Sequence, residues 1–229
     1  RKNTDLKLYE FGKVYQLADK GYHENQRLAV FLTGNTTSES WNKQAKPISF
    51  YNLKSAVDAI IKRLKIKNWS STAIQEANTS AGIVYLKGEK ELVKFGSVSK
   101  ATLKKLDINN DVFYADFDWD LILKAIRNNA IAYQEVSKYP AVRRDLSLLL
   151  DQVVTFDQLK QIAQKTEKAF LKEVNVFDVY MGDKLPAGKK SYALSFTLQD
   201  EQKTLTEKQI ESTMQKLINS FEKEVGAEI

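Results

Sequence analysis

Between Ser191 and Leu198 hydrophobic and small polar residues alternate along the chain. Tyr192, Leu194, Phe196 and Leu198 fall on one side; Ser191, Ala193, Ser195 and Thr197 fall on the other. Strand side chains alternate between faces, so the segment predicts a sheet with one buried face and one open, small and polar face. A preceding strand is expected over Val174–Tyr180, with Val176, Asp178 and Tyr180 as its open-face positions. Met181–Lys190, rich in lysine, glycine and proline, joins the two. Arg144–Leu150 reads as a strand with Leu146, Leu148 and Leu150 on one face. Thr155–Phe170 reads as a helix with Phe156, Leu159, Ile162 and Ala163 inward. Thr206–Val225 is a long helix with Ile210, Met214, Leu217, Ile218 and Phe221 in register and Gly226 as its stop. The final Ala-Glu-Ile is expected to begin a fourth strand.

That order, β-α-β-β-α-β, is the ferredoxin-like split motif, with helices on one side of the sheet and the other side free. A break near Gln134–Tyr139 separates it from a differently patterned region. There Leu6–Gln16 and Arg27–Thr33 read as strands flanking a turn at Asp19–Tyr22. Phe50–Ile66 reads as a helix, with Leu53, Val57, Ile60, Ile61 and Leu64 on one stripe. Ala81–Lys87 and Leu92–Val98 predict a hairpin, Ser99–Leu106 a short capped helix, Val112–Phe117 a strand and Asp118–Asn128 a helix begun by acidic residues. Antiparallel strands interleaved with helices make the class α+β. The expected domains are 1–135 and 136–229.

At 229 residues, 43% hydrophobic and 28% charged, the chain has material for real cores. No run approaches a membrane span of ~18 apolar residues, and the Arg1 start is no signal peptide. The chain does not begin with Met, so a truncated piece of something longer is expected. Absence of Cys excludes disulfides and thiol chemistry and fits a cytoplasmic protein. With His23 as the one histidine, expected in an exposed loop, a His/Cys zinc site is excluded. The net charge of +6 is uneven: residues 1–138 hold 22 Lys+Arg against 15 Asp+Glu, and residues 139–229 hold 13 against 14. Any phosphate contact by the second region must therefore come from local lysines.

The open face offers candidate chemistry. A small polar platform carrying an aromatic ring and a carboxylate beside a lysine-bearing loop suits an unstacked base. Tyr139-Pro-Ala-Val-Arg-Arg-Asp-Leu-Ser147, Phe177-Asp-Val-Tyr180, Leu185-Pro-x-Gly-Lys-Lys-Ser191 and Leu198-Gln-Asp-x-x-x-Thr-Leu-Thr206 closely resemble the C-terminal domain of phenylalanyl-tRNA synthetase β subunits. In that family this is a ferredoxin-fold anticodon-binding domain. Upstream, Leu8-Tyr-Glu-Phe-Gly-Lys13, Phe50-Tyr-x-Leu-Lys54 and Phe95-Gly-Ser-Val-Ser99 resemble, more loosely, the same subunit's class II synthetase-like module.

The resemblance implies that Tyr180 stacks on the first anticodon base and that Asp178 and Ser191 hydrogen-bond near it. A carboxylate can accept from guanine N1–H and N2–H; a serine hydroxyl can donate or accept. Lys184, Lys189 and Lys190 are candidate phosphate contacts on chemistry alone. Arg144 and Asp145 are expected to form a structural ion pair of little energetic value. The resemblance also implies a noncatalytic module. The first strand has no arginine two residues before Glu10, and Val112–Arg127 contains no glycine to let a nucleotide approach the backbone. Asp116, Asp118 and Asp120 read as helix capping rather than a Mg²⁺ site. No cofactor is expected on this piece; ATP and Mg²⁺ would act in the whole enzyme. Implied partners are the anticodon of tRNA(Phe) and a catalytic α subunit, two of each subunit per assembly, with no membrane. The rivals are a protein-interaction or regulatory ferredoxin-like module without RNA binding, and a one-chain organellar synthetase, against which the missing arginine and glycine motifs argue.

Overall fold

A computed structural model of the chain describes residues 3–19, 21–130, 133 and 135–229. Lys20 of the expected turn, Gln134 of the expected break, and Arg1 and Lys2 of the start lie outside the described residues. Two compact units comprise residues 1–132 and 133–229.

The first unit runs β1 (Leu6–Ala18), β2 (Gly21–Thr33), α1 (Phe50–Arg63), β3 (Ser70–Glu76), β4 (Thr79–Lys87), β5 (Lys90–Val98), α2 (Lys100–Lys105), β6 (Val112–Asp118) and α3 (Trp119–Ile126). Its sheet has the order β1-β2-β6-β5-β4-β3, every neighbour antiparallel. The stripe of α1 buries Leu53, Val57 and Ile61 in a core with Phe95, Phe113 and Phe117. Burial of each such side chain contributes about 1.5–3 kcal/mol. Local signals start the helices. The Asn52 side chain accepts the Ser49 N–H at 2.8 Å, and Asp118 Oδ1 accepts the Leu121 N–H at 2.9 Å. Asp120 accepts the Gln26 N–H at 2.9 Å, while Asp116 and Asp118 face Arg27 at 3.6 and 4.0 Å. All three acids thus have structural partners. His23 is exposed but lies inside β2, paired with Gln16, not in a loop.

The second unit runs β7 (Val142–Asp151), α4 (Phe156–Thr166), β8 (Leu171–Tyr180), β9 (Lys189–Leu198) and α5 (Glu207–Val225). Its antiparallel order is β7-β9-β8. The expected fourth strand is reduced to one bridge: the Leu149 N–H donates to Glu228 O at 2.7 Å, and the Glu228 N–H returns to Leu149 O at 3.0 Å. Leu159, Ile162 and Ala163 of α4 and Leu217 and Phe221 of α5 pack on the face bearing Leu148, Leu150, Val174, Leu194 and Phe196. Gly226, at φ +62°, stops α5 as expected.

Four departures from the sequence reading have physical causes. Helix α4 ends at Thr166 because Glu167 turns extended and its carboxylate accepts the N–H groups of Ala169 and Phe170 at 2.8 and 3.1 Å. Released four residues early, the chain begins β8 at Leu171. Within β8 the register shifts between Val176 and Asp178. That bulge puts Val176 on the helix side opposite Leu194, not on the open face. Finally, Asp145 pairs with Arg143, not Arg144: residues two apart on a strand share a face. Arg144 instead reaches Glu207 at the start of α5.

Candidate nucleic-acid interface

With both helices on one side, four rows of side chains cross the other face of the second unit's sheet. Reading β7, β9, β8, they are Arg143–Thr197–Glu173, Asp145–Ser195–Asn175, Ser147–Ala193–Asp178 and Leu149–Ser191–Tyr180. Ser191 and Tyr180 are direct cross-strand neighbours, so their Cβ atoms stand about 5 Å apart. Asp178 is two residues before Tyr180 on the same strand, about 7 Å along it. Pairing thus brings Asp178, Tyr180 and Ser191 to one end of one face. Tyr180 is 42% exposed.

The loop after β8 sets that ring. A Cβ at Gly182 would lie 2.2 Å from Tyr180 Oη and 2.3 Å from Cζ, so the glycine backbone sits directly against the phenol. Asp178 Oδ1 accepts the adjacent Val179 N–H at 3.0 Å, and no cation among the described residues pairs with its carboxylate. Ser147 Oγ lies 3.3 Å from Ser191 Oγ, adding a second hydroxyl to the platform. Lower on the face, the Arg143 guanidinium grips Asp145 through Nε and Nη2 at 2.8 and 3.3 Å and lies 5.1 Å from the Phe177 ring centroid. Phe177 is the residue inserted by the bulge, and it is half exposed.

The three lysines separate. Lys184 is exposed on the loop. Lys189 is committed to Asp151 at 3.2 Å and Glu228 at 3.3 Å, and hydrogen bonding to these carboxylates raises its pKa above the usual 10.5. Lys190 is 6% exposed; its ammonium donates to Gln152 O at 2.9 Å and Tyr192 Oη at 3.0 Å. It is therefore withdrawn from the phosphate contacts: the same alternation that opens Ser191 turns Lys190 inward.

Sequence reading passed over Ser147, Arg143, Phe177 and Gly182. The outward position of Ser147 was legible from inward Leu146 and Leu148. Nothing in the pattern announces the bulge that exposes Phe177, or the contact of Gly182 with the ring.

Comparison with known proteins shows the family of the chain. A family profile described as "Ferredoxin-fold anticodon binding domain" matches residues 137–229, and one described as "Phenylalanyl tRNA synthetase beta chain CLM domain" matches residues 1–119. The phenylalanine–tRNA ligase beta subunits of Bacteroides fragilis and Bacteroides thetaiotaomicron are each 44% identical over the whole of this chain and 29% of their own length. That of Porphyromonas gingivalis is 35% identical over the same shares. The chain thus spans under a third of the curated relatives it matches. Profiles over both units and identity along its full length show that the chain belongs to the phenylalanyl-tRNA synthetase beta chain family.

Proposed function

We propose that this chain is the anticodon-gripping and assembly-supporting part of a phenylalanine–tRNA ligase. The observation that carries the reading is the meeting of Asp178, Tyr180 and Ser191 at one end of an open sheet face. A base stacked on Tyr180 would present its edge to the unpaired Asp178 carboxylate and the Ser147–Ser191 hydroxyl pair. Base–aromatic stacking contributes about 1–3 kcal/mol. Holding the anticodon orients the distant acceptor end, so the catalytic gain is positional. Residues 1–135 form the synthetase-like module in this reading, and residues 136–229 the anticodon domain.

Assembly with a catalytic α subunit, two copies of each, is supported by β1. It is the outer strand of its sheet, and Leu8, Tyr9, Phe11, Tyr15 and Leu17 stand exposed along it. The ATP and Mg²⁺ that the family's reaction implies do not fit the residues of this chain. Its candidate acids hold Arg27 and backbone N–H groups, and β6–α3 has no glycine. Both belong to the α subunit in this reading, and the assembly works in the cytoplasm. The protein-interaction alternative draws on exposed Val179 and Met181 beside Phe177.

Tyr180→Ala in the assembled ligase separates the two readings. Weaker tRNA binding by about 5- to 150-fold and slower aminoacylation are expected, with phenylalanine activation from ATP unchanged. Equal loss of both reactions would refute a decoding role.

A further inference from the structure

A second charged surface lies in the first unit, away from any role given above. The two-residue turn Gly88-Glu89, with Gly88 at φ +63°, sets Lys87 directly opposite Lys90 across the β4–β5 ladder. Like charges facing one another across a ladder are destabilising. Lys124 of α3 joins them around a groove of about 290 Å³ floored by Leu92, Leu121 and Ala125. Lys87 Nζ points at the last turn of α3, 3.4 Å from Ala125 O. The helix dipole accounts for one cation there, not for three. Among the described residues no carboxylate pairs with any of the three, although Glu89 and Glu91 share their hairpin. Elsewhere in the unit Lys13, Lys54 and Lys94 each hold a glutamate or aspartate. The Asn129 side chain donates to Leu64 O at 3.0 Å and Lys65 O at 3.1 Å, which clips the end of α1, with Lys62 and Arg63, beside the end of α3.

We propose that this groove is a second RNA contact, one that takes phosphates of the tRNA backbone. Uncompensated ammonium groups facing one another gain most from a polyanion laid between them. The floor is aliphatic, with no ring for a base, so the contact reads backbone and not sequence. The first unit as a whole also carries the positive balance that the anticodon unit lacks: residues 1–132 hold 21 Lys+Arg against 14 Asp+Glu. The inference rests on the reading that the assembled ligase binds tRNA.

The test is a salt titration of tRNA binding by the assembled ligase carrying Lys87→Ala, Lys90→Ala and Lys124→Ala together. The slope of log affinity against log salt should become shallower by about 2 to 3, with weaker binding at low salt. The three matching Lys→Arg changes should retain the slope, and Tyr180→Ala should lower affinity with the slope unchanged. An unaltered slope in the alanine variant, with Tyr180→Ala still weakening binding, overturns the groove and leaves the anticodon reading standing. Loss of the α subunit with an unaltered slope assigns the surface to an acidic protein face and also overturns it. If neither variant affects tRNA binding, both readings fail.

Discussion

Gly182→Ala isolates ring placement from fold stability. The added Cβ would lie 2.2 Å from Tyr180 Oη, 2.3 Å from Cζ and 2.8 Å from Cε2. Comfortable carbon contacts begin near 3.5 Å, so the phenol must move by more than about 1 Å. It can do so cheaply, because the ring end is solvent-facing and the Gly182 φ is not in the left-handed region. Unfolding free energy should therefore change by less than about 0.5 kcal/mol. The stacking surface moves away from Asp178 and Ser191, so most of the ~1–3 kcal/mol of stacking should be lost. The assay is a double-mutant cycle on tRNA affinity in the assembled ligase. Gly182→Ala alone should weaken binding by about 5- to 150-fold. Combined with Tyr180→Ala it should cost no more than Tyr180→Ala alone, since both changes remove one interaction. Fully additive losses, or unchanged affinity in Gly182→Ala, would refute the account of the ring.

Lys190→Met leaves Gln152 O and Tyr192 Oη without their donor and should lower stability by about 1–3 kcal/mol in denaturant unfolding, with the salt slope of tRNA binding unchanged. Lys189 has its pKa raised by Asp151 and Glu228, so its stabilisation is full below pH 10.5 and is lost as pH rises through the higher folded-state value. Lys189→Gln should therefore flatten the alkaline fall in melting temperature, whereas Lys13 and Lys94, raised by Glu24 and Glu76, keep contributing to it. Gly96→Ala drives a Cβ to 2.4 Å from the Ala81 carbonyl oxygen, backbone that cannot swing aside. It should destabilise the first unit by about 1–3 kcal/mol in thermal melts.

Segments with a strong local pattern were legible in the chain. The stripe of α1, the Gly226 stop of α5, the β4–β5 hairpin and the alternation of β9 each depend on neighbours a few residues apart. Strand β3 was not legible. As an edge strand with Ile74 as its one large apolar side chain, it has no buried face to impose a period. The motif residues gain physical roles only in the fold. Gln199 Nε2 holds Tyr139 O at 2.7 Å, tying the entry of β7 to the exit of β9.

By itself the sequence determined which face of β9 is open, because a strand's side chains obey a period of two. Only the tertiary structure decided how far that period runs. One inserted residue in β8 sends Val176 inward and Phe177 out, and brings Asp178 and Tyr180 to the side of Ser191. Register and reach are set by packing partners distant in the chain, and local composition carries no record of them.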